Sequence, residues 1–362
     1  KNKNQKKYSY IVGNPPWGSS FSKNQLSILK ENYECADMNG KPESFNLFVE
    51  KALKSLSLDG TMIFLLPEAI LGADYHEIIR NIIKKYANVA AISYLGDIFY
   101  KVQCPCIILK LTKEKTKNIK VSHYNKISKD KLVCNKTYLA ATDRISDKSF
   151  HILSGDIERS ITDKILSTPH FTLNGNADFA LGIVTGSNKS FLSSSPLEGF
   201  EGILKGSDIH KYYYDEPSNF IKFEPEHFQQ VAPNSFYRAK EKLFYKFIAT
   251  EPVFAYDNKG TLSLNSANIL IPTMQDYSAL YIMAILNSDV MSFYYKNTFR
   301  NLKVLKSAIE ALPIACCDKD TMKYIEALAG NISANPKDRA GIISEINDKI
   351  RILYGLSKND IM

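Results

Sequence analysis

The chain has 362 residues, of which 44% are apolar and 23% charged, and its formal net charge is +8. These values are typical of a globular protein, and no apolar run approaches the roughly 18 residues that span a bilayer, which argues against a membrane protein. The six cysteines and six histidines are scattered without disulfide or metal-ligand spacing. The composition therefore predicts a cytoplasmic protein of two domains without a bound metal, and its basic excess permits a polyanionic partner.

The first part of the sequence predicts strands that alternate with helices. The apolar run from Tyr8 to Val12 predicts a buried strand that ends at Gly13, and residues 18–42 predict a mobile loop around a short helical patch. The elements predicted next are a helix over 43–57, an apolar strand over 61–67, a helix over 74–86 with Asp74 as its N-cap, and strands over 89–95 and 104–111. This alternation indicates an α/β layer with parallel pairing, in which the last two strands are antiparallel.

The later part of the sequence has a different character. A lysine-rich stretch over 113–131 breaks the pattern, and its part over 114–120 is too polar for a core, which predicts a domain boundary within about 113–150. Short segments separated by glycine and aromatic residues over 179–271 predict an irregular β-rich domain, and helical patterns follow from 277 onward. The predicted organisation is a partial catalytic domain at 1–115, a linker at 116–150, a second domain at 151–313 and a C-terminal helical segment at 314–362.

The turn after the first predicted strand carries the strongest chemical signal, Asn14-Pro15-Pro16-Trp17. A ring-bound NH2 group is a poor nucleophile because its lone pair is delocalised into the ring. The Asn14 side-chain oxygen and the Pro15 carbonyl can each accept one of its N–H bonds, which frees the lone pair, and Trp17 can stack on the ring. The same residues also fit a rigid strand-end turn in which the tryptophan only packs.

The sequence resembles the N6-adenine DNA methyltransferases of the TaqI-like group, which carry a target-recognition domain after the catalytic one. The resemblance in the first half rests on Ile11–Trp17, Phe45–Leu53, Gly60–Pro67 and Leu95–Phe99. In the second half it rests on Gly182–Phe191, Lys205–Tyr212 and Ala284–Ser288. It implies an α/β fold class, with the second half of a Rossmann-like methyltransferase sheet followed by an irregular β-rich recognition domain with C-terminal helices.

The resemblance also implies roles for individual residues. Asn14, Pro15, Pro16 and Trp17 would form the catalytic turn, and Phe99 would supply a second aromatic ring to a flipped base, although Phe99 also fits a hairpin core. The candidate contacts to S-adenosylmethionine are Phe45 and Leu47, for which a plain helix-core role fits equally well. The candidate DNA phosphate contacts, any of which can instead be a solvated surface charge, are Lys189, Lys205, Lys211, Arg238, Lys240, Lys242, Arg300 and Lys303.

One departure from the family pattern limits the expected activity. In the family, a Gly-rich turn and an acidic residue that bind S-adenosylmethionine come before the Asn-Pro-Pro motif, and only thirteen residues precede Asn14 here. The sequence therefore resembles the C-terminal portion of such an enzyme. We expect the strand before Asn14 to lie at a sheet edge, a separate chain or an N-terminal region to complete the catalytic domain, and the isolated portion to be inactive.

The predicted function is methyl transfer from S-adenosylmethionine to a flipped adenine of double-stranded DNA, in a restriction-modification or orphan system. A restriction endonuclease is a candidate further partner. Two alternatives stay open. The chain can be a non-catalytic DNA-binding or specificity module, or a methyltransferase that acts on protein glutamine or on RNA.

Overall fold

The computed structural model describes residues 6–36, 42–99, 104–129, 131–299 and 303–361. The chain divides into two compact units, Lys1–Asp156 and Ile157–Met362, called unit 1 and unit 2 below. Arg300, one of the candidate phosphate contacts, lies outside the described residues.

Unit 1 is built on a six-stranded sheet with helices between its strands. Its elements, in chain order, are β1 (Tyr8–Gly13), α1 (Lys23–Asn32), α2 (Ser44–Ser55), β2 (Leu56–Pro67), α3 (Glu77–Tyr86), β3 (Asn88–Gly96), β4 (Cys106–Thr112), β5 (Asn118–Ser128) and β6 (Lys131–Ala141). The strand order is β1-β2-β4-β3-β5-β6. β1 is parallel to β2 and β3 is parallel to β5, whereas β4 is antiparallel to both of its neighbours. Strands β1, β2, β3 and β5 therefore run in one direction, and their carboxyl ends meet at one edge of the sheet.

The sheet confirms the α/β class and the antiparallel pairing of the strands predicted over 89–95 and 104–111. Its apolar runs bury Met62, Leu66, Ile92 and Leu109 completely. Burial of this kind stabilises a fold by about 1.5–3 kcal/mol for each large aliphatic side chain.

Several local predictions were wrong, each because tertiary pairing outweighed the local signal. The predicted linker over 116–150 contains β5 and β6, which belong to the sheet, since β5 pairs with β3 from Ala91↔Lys120 to Tyr94↔His123. The helix predicted over 43–57 ends at Ser55, because the chain from Leu56 onward pairs with β1. Asp74 opens a short 3-10 turn instead of capping α3, which begins at Glu77.

Unit 2 combines small sheets with helices, as the fold-class prediction required. Its elements are α4 (Asp156–Ser167), β7 (His170–Phe171), β8 (Ala177–Ala180), α5 (Asn188–Phe191), β9 (Leu192–Ser193), β10 (Phe200–Leu204), β11 (Asn219–Lys222), α6 (Asn234–Tyr237), β12 (Lys242–Lys246), β13 (Phe254–Asp257), β14 (Leu262–Ser263), β15 (Ala267–Pro272), α7 (Ala279–Asn287), α8 (Asp289–Thr298), α9 (Lys306–Glu310), β16 (Ile314–Ala315), α10 (Lys319–Asn331) and α11 (Arg339–Leu353). Two four-stranded sheets, β14-β10-β11-β9 and β13-β12-β15-β8, stand beside the two-stranded β16-β7. Across the described ranges, no helix has the length and apolar character needed to cross a membrane.

Candidate active site and nucleic-acid interface

The Asn-Pro-Pro-Trp turn lies at the carboxyl edge of the sheet in unit 1. It directly follows β1, whose last residue, Gly13, pairs with Phe64 of the parallel strand β2. Asn14 is exposed, Pro15 is buried and Trp17 is half-buried. Within the described part of the chain, no hydrogen bond engages the Asn14 side chain or the Pro15 carbonyl. Both acceptors therefore lack an internal partner among the described residues, and the Asn14 residue is open to solvent.

Ser44, the first residue of α2, fixes this turn. Ser44 is 2% exposed, and its hydroxyl donates to the carbonyl oxygen of Pro16 at 2.6 Å. The backbone N–H of Ser19 in turn donates to the same hydroxyl at 3.4 Å. A buried hydroxyl with both partners in place holds the turn against rotation, so Pro15 and Asn14 keep one orientation. The sequence analysis did not identify Ser44, although a serine at the start of a predicted helix is a common hydrogen-bonding position.

Trp17 and Phe99, two of the predicted site residues, lie together. Their ring centroids are 5.5 Å apart and their planes meet at 79°, an edge-to-face contact. Phe99 is 39% exposed, so it is not a core residue. The indole N–H of Trp17 is enclosed and finds no acceptor among the described residues. Leaving a buried donor unpaired costs about 1–3 kcal/mol, and such cost is commonly found at functional sites.

An apolar cleft of about 240 Å³ lies next to the turn. It is lined by Pro16 and Ser19, by Ser44, Leu47, Phe48 and Lys51 of α2, and by residues in or next to α1: Phe21, Leu29 and Tyr33. Of the two predicted cofactor contacts, Leu47 therefore lines the cleft. Phe45 does not, because it is 3% exposed and packs against His76, with the ring centroids 5.1 Å apart.

Phe48 is the aromatic residue of α2 that faces outward, with 49% of its surface exposed. It also lines a second cleft of about 390 Å³, together with Tyr8, Tyr10 and Val12 of β1. Tyr10 and Val12 are 74% and 70% exposed. Among the described residues β1 pairs only with β2, so its other side is an open sheet edge with an uncovered apolar face. This agrees with the expected edge position of the strand. The prediction that the same strand is buried was wrong, because within the described ranges only one side of it is paired and the face that carries Tyr10 and Val12 is uncovered.

The chain between the turn and α2 is held at its far end by a buried carboxylate. Glu50 of α2, which is 0% exposed, accepts the backbone N–H groups of Glu34 at 3.0 Å and Cys35 at 2.9 Å, and pairs with Lys54 at 2.5 Å. Burial opposes ionisation, yet the Lys54 ammonium and these N–H donors hold the pKa of Glu50 below its usual range. The helix α1 itself buries no side chain. Within the described residues of the segment predicted as a mobile loop, α1 is thus a peripheral helix that is held at both ends.

The candidate phosphate contacts of unit 2 differ in how accessible their charges are. Lys189, Lys240 and Lys303 are exposed, and Lys205 is half-buried. Arg238 is also at the surface, but its guanidinium donates to the Glu201 carboxylate at 2.7 Å and to the Gly260 carbonyl at 3.0 Å. Exposed lysines can reach a phosphate directly, whereas Arg238 first has to leave an internal partner.

Lys211 and Lys242 are engaged inside unit 2. Lys211 donates to Glu251 at 3.2 Å and to Ser292 at 2.9 Å. Burial opposes the ionisation of Glu251, but Ser292 and the Lys211 ammonium lower the pKa of this carboxyl group to about 2. Lys242 is 0% exposed and binds Asp257 at 2.6 Å. The prediction of a phosphate contact was wrong for Lys242, because an ammonium that is enclosed by its own unit cannot reach DNA.

Residues 1–104 match the family model described as the Eco57I restriction-modification methylase, and residues 201–314 match the TaqI-like C-terminal specificity domain. Both models thus describe restriction-modification methylases or their specificity domains. The resemblance drawn from the motifs is confirmed by these matches. They cover both units, the first including the Asn-Pro-Pro-Trp turn and the second including β10 to β15.

Two curated relatives are similar to parts of this chain. The Type II methyltransferase M.VspI of Vibrio sp. (strain 343) is 30% identical over 209 residues, 57% of this chain and 48% of the relative. The Type II methyltransferase M.TthHB8I of Thermus thermophilus is 26% identical over 113 residues, 29% of this chain and 26% of the relative. Each alignment thus spans about half or less of the relative's length.

Among solved structures, the Type IIL restriction-modification enzyme MmeI in complex with DNA superposes with a TM-score of 0.55. The identity is 10%, and the match covers 96% of this chain and 54% of that one. At this identity the likeness concerns the fold alone.

Proposed function

We propose that this chain supplies the target-handling portion of a DNA methyltransferase that modifies N6 of adenine. The observation that carries the proposal is the exposed Asn14 at the sheet edge, on a turn fixed by the Ser44 hydroxyl and beside the Trp17–Phe99 pair. Two free acceptors on a rigid turn suit a planar NH2 group, which has two N–H bonds to donate. Similarity to restriction-modification methylases favours DNA as the substrate.

The residues of the turn would act on the target amine as follows. A paired adenine has to leave the duplex first, which costs a few kcal/mol of unstacking. Stacking on Trp17, with Phe99 at its edge, returns about 1–3 kcal/mol. Asn14 Oδ1 and the Pro15 carbonyl each accept one N–H of the amine, which draws electron density back to the nitrogen. The nitrogen would form its bond to the methyl carbon as the bond between that carbon and its leaving group breaks, without a general base, and the extra proton on nitrogen would pass to water afterwards.

S-adenosylmethionine, when bound, supplies an electrophilic methyl group to this amine. The apolar cleft formed by Pro16, Leu47 and Phe48 fits one side of that cofactor, because a flat adenine ring needs apolar and aromatic walls. We propose Leu47 and Phe48, and not Phe45, as the contacts. The open edge of β1 and the uncovered Tyr10 and Val12 suit further strands of the sheet, from an N-terminal region or a separate chain.

For DNA, we propose Lys189, Lys205, Lys240 and Lys303 as phosphate contacts, with Arg238 joining them if it exchanges Glu201 for a phosphate. A restriction endonuclease remains a candidate partner, and we propose a cytoplasmic location in which chromosomal DNA is available.

The decisive experiment is transfer of a tritiated methyl group to duplex DNA by the protein that contains this chain, with and without the preceding region supplied. We expect the label in N6-methyladenine after nucleoside digestion. Asn14→Ala should lower the rate by about 100-fold or more, as for the loss of one preorganised hydrogen-bonding group. Asn118→Ala, an exposed asparagine at the start of β5, is the matched control and should keep the full rate.

The outcomes separate this proposal from its alternatives. Label in protein or RNA, but not in DNA, would refute DNA methylation and favour the corresponding substrate. DNA binding that survives Asn14→Ala, without labelling under any condition, would instead favour a non-catalytic specificity module.

A further inference from the structure

The β5–β6 hairpin of unit 1 extends well beyond the sheet. β3 ends at Gly96, and its last partner in β5 is His123, which pairs with Tyr94. Beyond His123, the two strands pair only with each other, through four residue pairs from Tyr124↔Cys134 to Ser128↔Lys131. Lys129 is six positions beyond His123, whereas Gly96 is two positions beyond Tyr94. At about 3.3 Å per residue, the remaining four positions carry the tip roughly 13 Å past the end of β3.

The projecting part, residues 124–136, is solvent-exposed on both faces. All of its described residues after Tyr124 are exposed, including the apolar Ile127 at 63%. At the base, by contrast, Val121 and Ala140 are fully buried. Cross-strand bonds brace this base, with Ser122 and Thr137 hydroxyls 3.0 Å apart. The hairpin is therefore an arm with a firm base, and its outer half adds little to the core.

This arm projects from the edge of the sheet that carries the candidate site. Strands β1, β3 and β5 run in the same direction, so the arm leaves the sheet at the end where β1 leads into Asn14 and β3 leads towards Phe99. One contact ties the arm to this region, because the Lys126 ammonium donates to the carbonyl of Ile98 at 2.6 Å. Ile98 is the residue before Phe99.

The charged residues of the arm are mostly positive. Residues 124–136 contain four lysines and one acidic residue, Asp130, which lies outside the described residues. Among the described residues, Lys126, Lys129 and Lys131 form no ion pair. A bound duplex has one negative charge per about 1.7 Å of its axis, so a lysine-bearing arm beside the turn faces a complementary surface.

We propose that the β5–β6 arm grips the phosphate backbone of the duplex that flanks the target base. A reach of roughly 13 Å corresponds to about four base pairs at ~3.4 Å each. The contact is independent of sequence, and it positions the duplex while unit 2 reads it. This inference rests on the proposed action on DNA, and it assigns unit 1 a binding element in a segment whose sequence predicts only a linker.

The test is the salt dependence of binding to a fluorescein-labelled 30-base-pair duplex of mixed sequence, measured by anisotropy with the full chain. The variant is Lys129→Gln/Lys131→Gln. Its matched control, Lys115→Gln/Lys117→Gln, removes the same charge from exposed positions just before the other end of β5. Because each phosphate contact contributes about 0.9 to the slope of log K against log salt, we expect the arm variant to lower the slope by about 2 and the control by less than 0.5.

Two further measurements make each result decisive. Lys129→Arg/Lys131→Arg should restore the slope, because arginine keeps the charge, and circular dichroism should show the same fold for all variants. Equal slopes for the arm variant and its control would overturn the inference while leaving the proposed methylation intact. Equal slopes together with a changed oligomeric state in sedimentation would assign the arm to a contact between copies. No salt-dependent binding by the unsubstituted chain would refute both proposals.

Discussion

Asp257→Ala is expected to destabilise unit 2 by about 3–5 kcal/mol, the usual cost of removing one partner from a buried ion pair. Asp257 is 1% exposed and accepts hydrogen bonds from Lys242 at 2.6 Å, from the Thr261 hydroxyl at 2.7 Å and from the Tyr214 hydroxyl at 2.7 Å. Burial opposes ionisation, but the ammonium and hydroxyl groups hold the pKa of this carboxylate below its ordinary value. Without it, the enclosed Lys242 ammonium keeps one hydrogen-bond partner among the described residues, the carbonyl of Tyr237 at 2.7 Å.

Removing the other partner of the ion pair should cost less folding stability, which provides an internal check. Lys242→Met removes the buried cation, whereas Asp257 retains the hydroxyls of Thr261 and Tyr214 and the backbone N–H of Thr261 at 3.1 Å. A carboxylate with three remaining donors stays partly compensated, and the methionine replaces the aliphatic stem. The expected order of stability is therefore unsubstituted chain, then Lys242→Met, then Asp257→Ala.

The assay is urea unfolding followed by circular dichroism, with the fluorescence of Trp17, the one tryptophan of the sequence, reporting unit 1 separately. With a slope of about 3 kcal/mol per molar urea, Asp257→Ala should move the midpoint of unit 2 down by about 1–1.5 M. Glu216→Ala is the matched control, because Glu216 pairs with Lys259 at 3.8 Å and its side chain is 90% exposed. A loss below about 1 kcal/mol for Asp257→Ala, or a larger loss for Lys242→Met, would refute this reading of the network.

Three further predictions concern unit 1. Ser44→Ala should lower the methylation rate about 10-fold, whereas Ser44→Thr should keep most of the rate. The reason is that the hydroxyl that holds the Pro16 carbonyl stabilises the turn by about 1–3 kcal/mol. Equal rates for both variants would contradict a positioning role. Phe45→Ala should destabilise unit 1 by about 3–5 kcal/mol in urea unfolding, whereas Phe48→Ala should leave stability nearly unchanged and raise the KM for S-adenosylmethionine; the opposite pattern would exchange their roles. Burial and the nearby Arg80 lower the pKa of His76 to about 4, so the stability that neutral His76 contributes is complete above pH 6.5 and is lost as the pH falls toward 4. His76→Gln should therefore remove up to about 3 kcal/mol of acid sensitivity in this window, and identical pH profiles of unfolding would rule the effect out.

The chemistry of the turn could be predicted from the sequence because it is local. Asn14 to Trp17 are contiguous, and the need for two acceptors and an aromatic face is met within four residues. The sequence also associated Trp17 with Phe99 through family resemblance, and the structure brings their rings to 5.5 Å. Their catalytic roles remain a prediction.

Features that depend on distant partners could not be predicted. No local signal marks Lys242 as buried, since its partner is fifteen residues away and becomes its neighbour only through the β12–β13 pairing Lys242↔Asp257. The sequence also does not show which side of α2 faces the core. Phe45 and Phe48 are both apolar at helical spacing, and only the packing against His76 decides that Phe45 turns inward.

The lysine-rich segment shows why polarity is a poor guide to a linker. A strand needs apolar side chains only where a layer covers it, and β5 is covered as far as Val121 and Ser122. Beyond that point the backbones of β5 and β6 still pair with each other, although no layer covers them. A polar composition is therefore compatible with an ordered hairpin, which the periodicity of apolar residues does not reveal.

The attachment of α1 has a consequence for local opening. Since α1 buries no side chain, unwinding it exposes little apolar surface, and the free energy of that opening should be small compared with global unfolding. The amide hydrogens of Lys23–Asn32 should then exchange with deuterium early. The two amides bound by Glu50, those of Glu34 and Cys35, should remain protected. The boundary between a fast and a slow exchanging region would thus fall within a few residues.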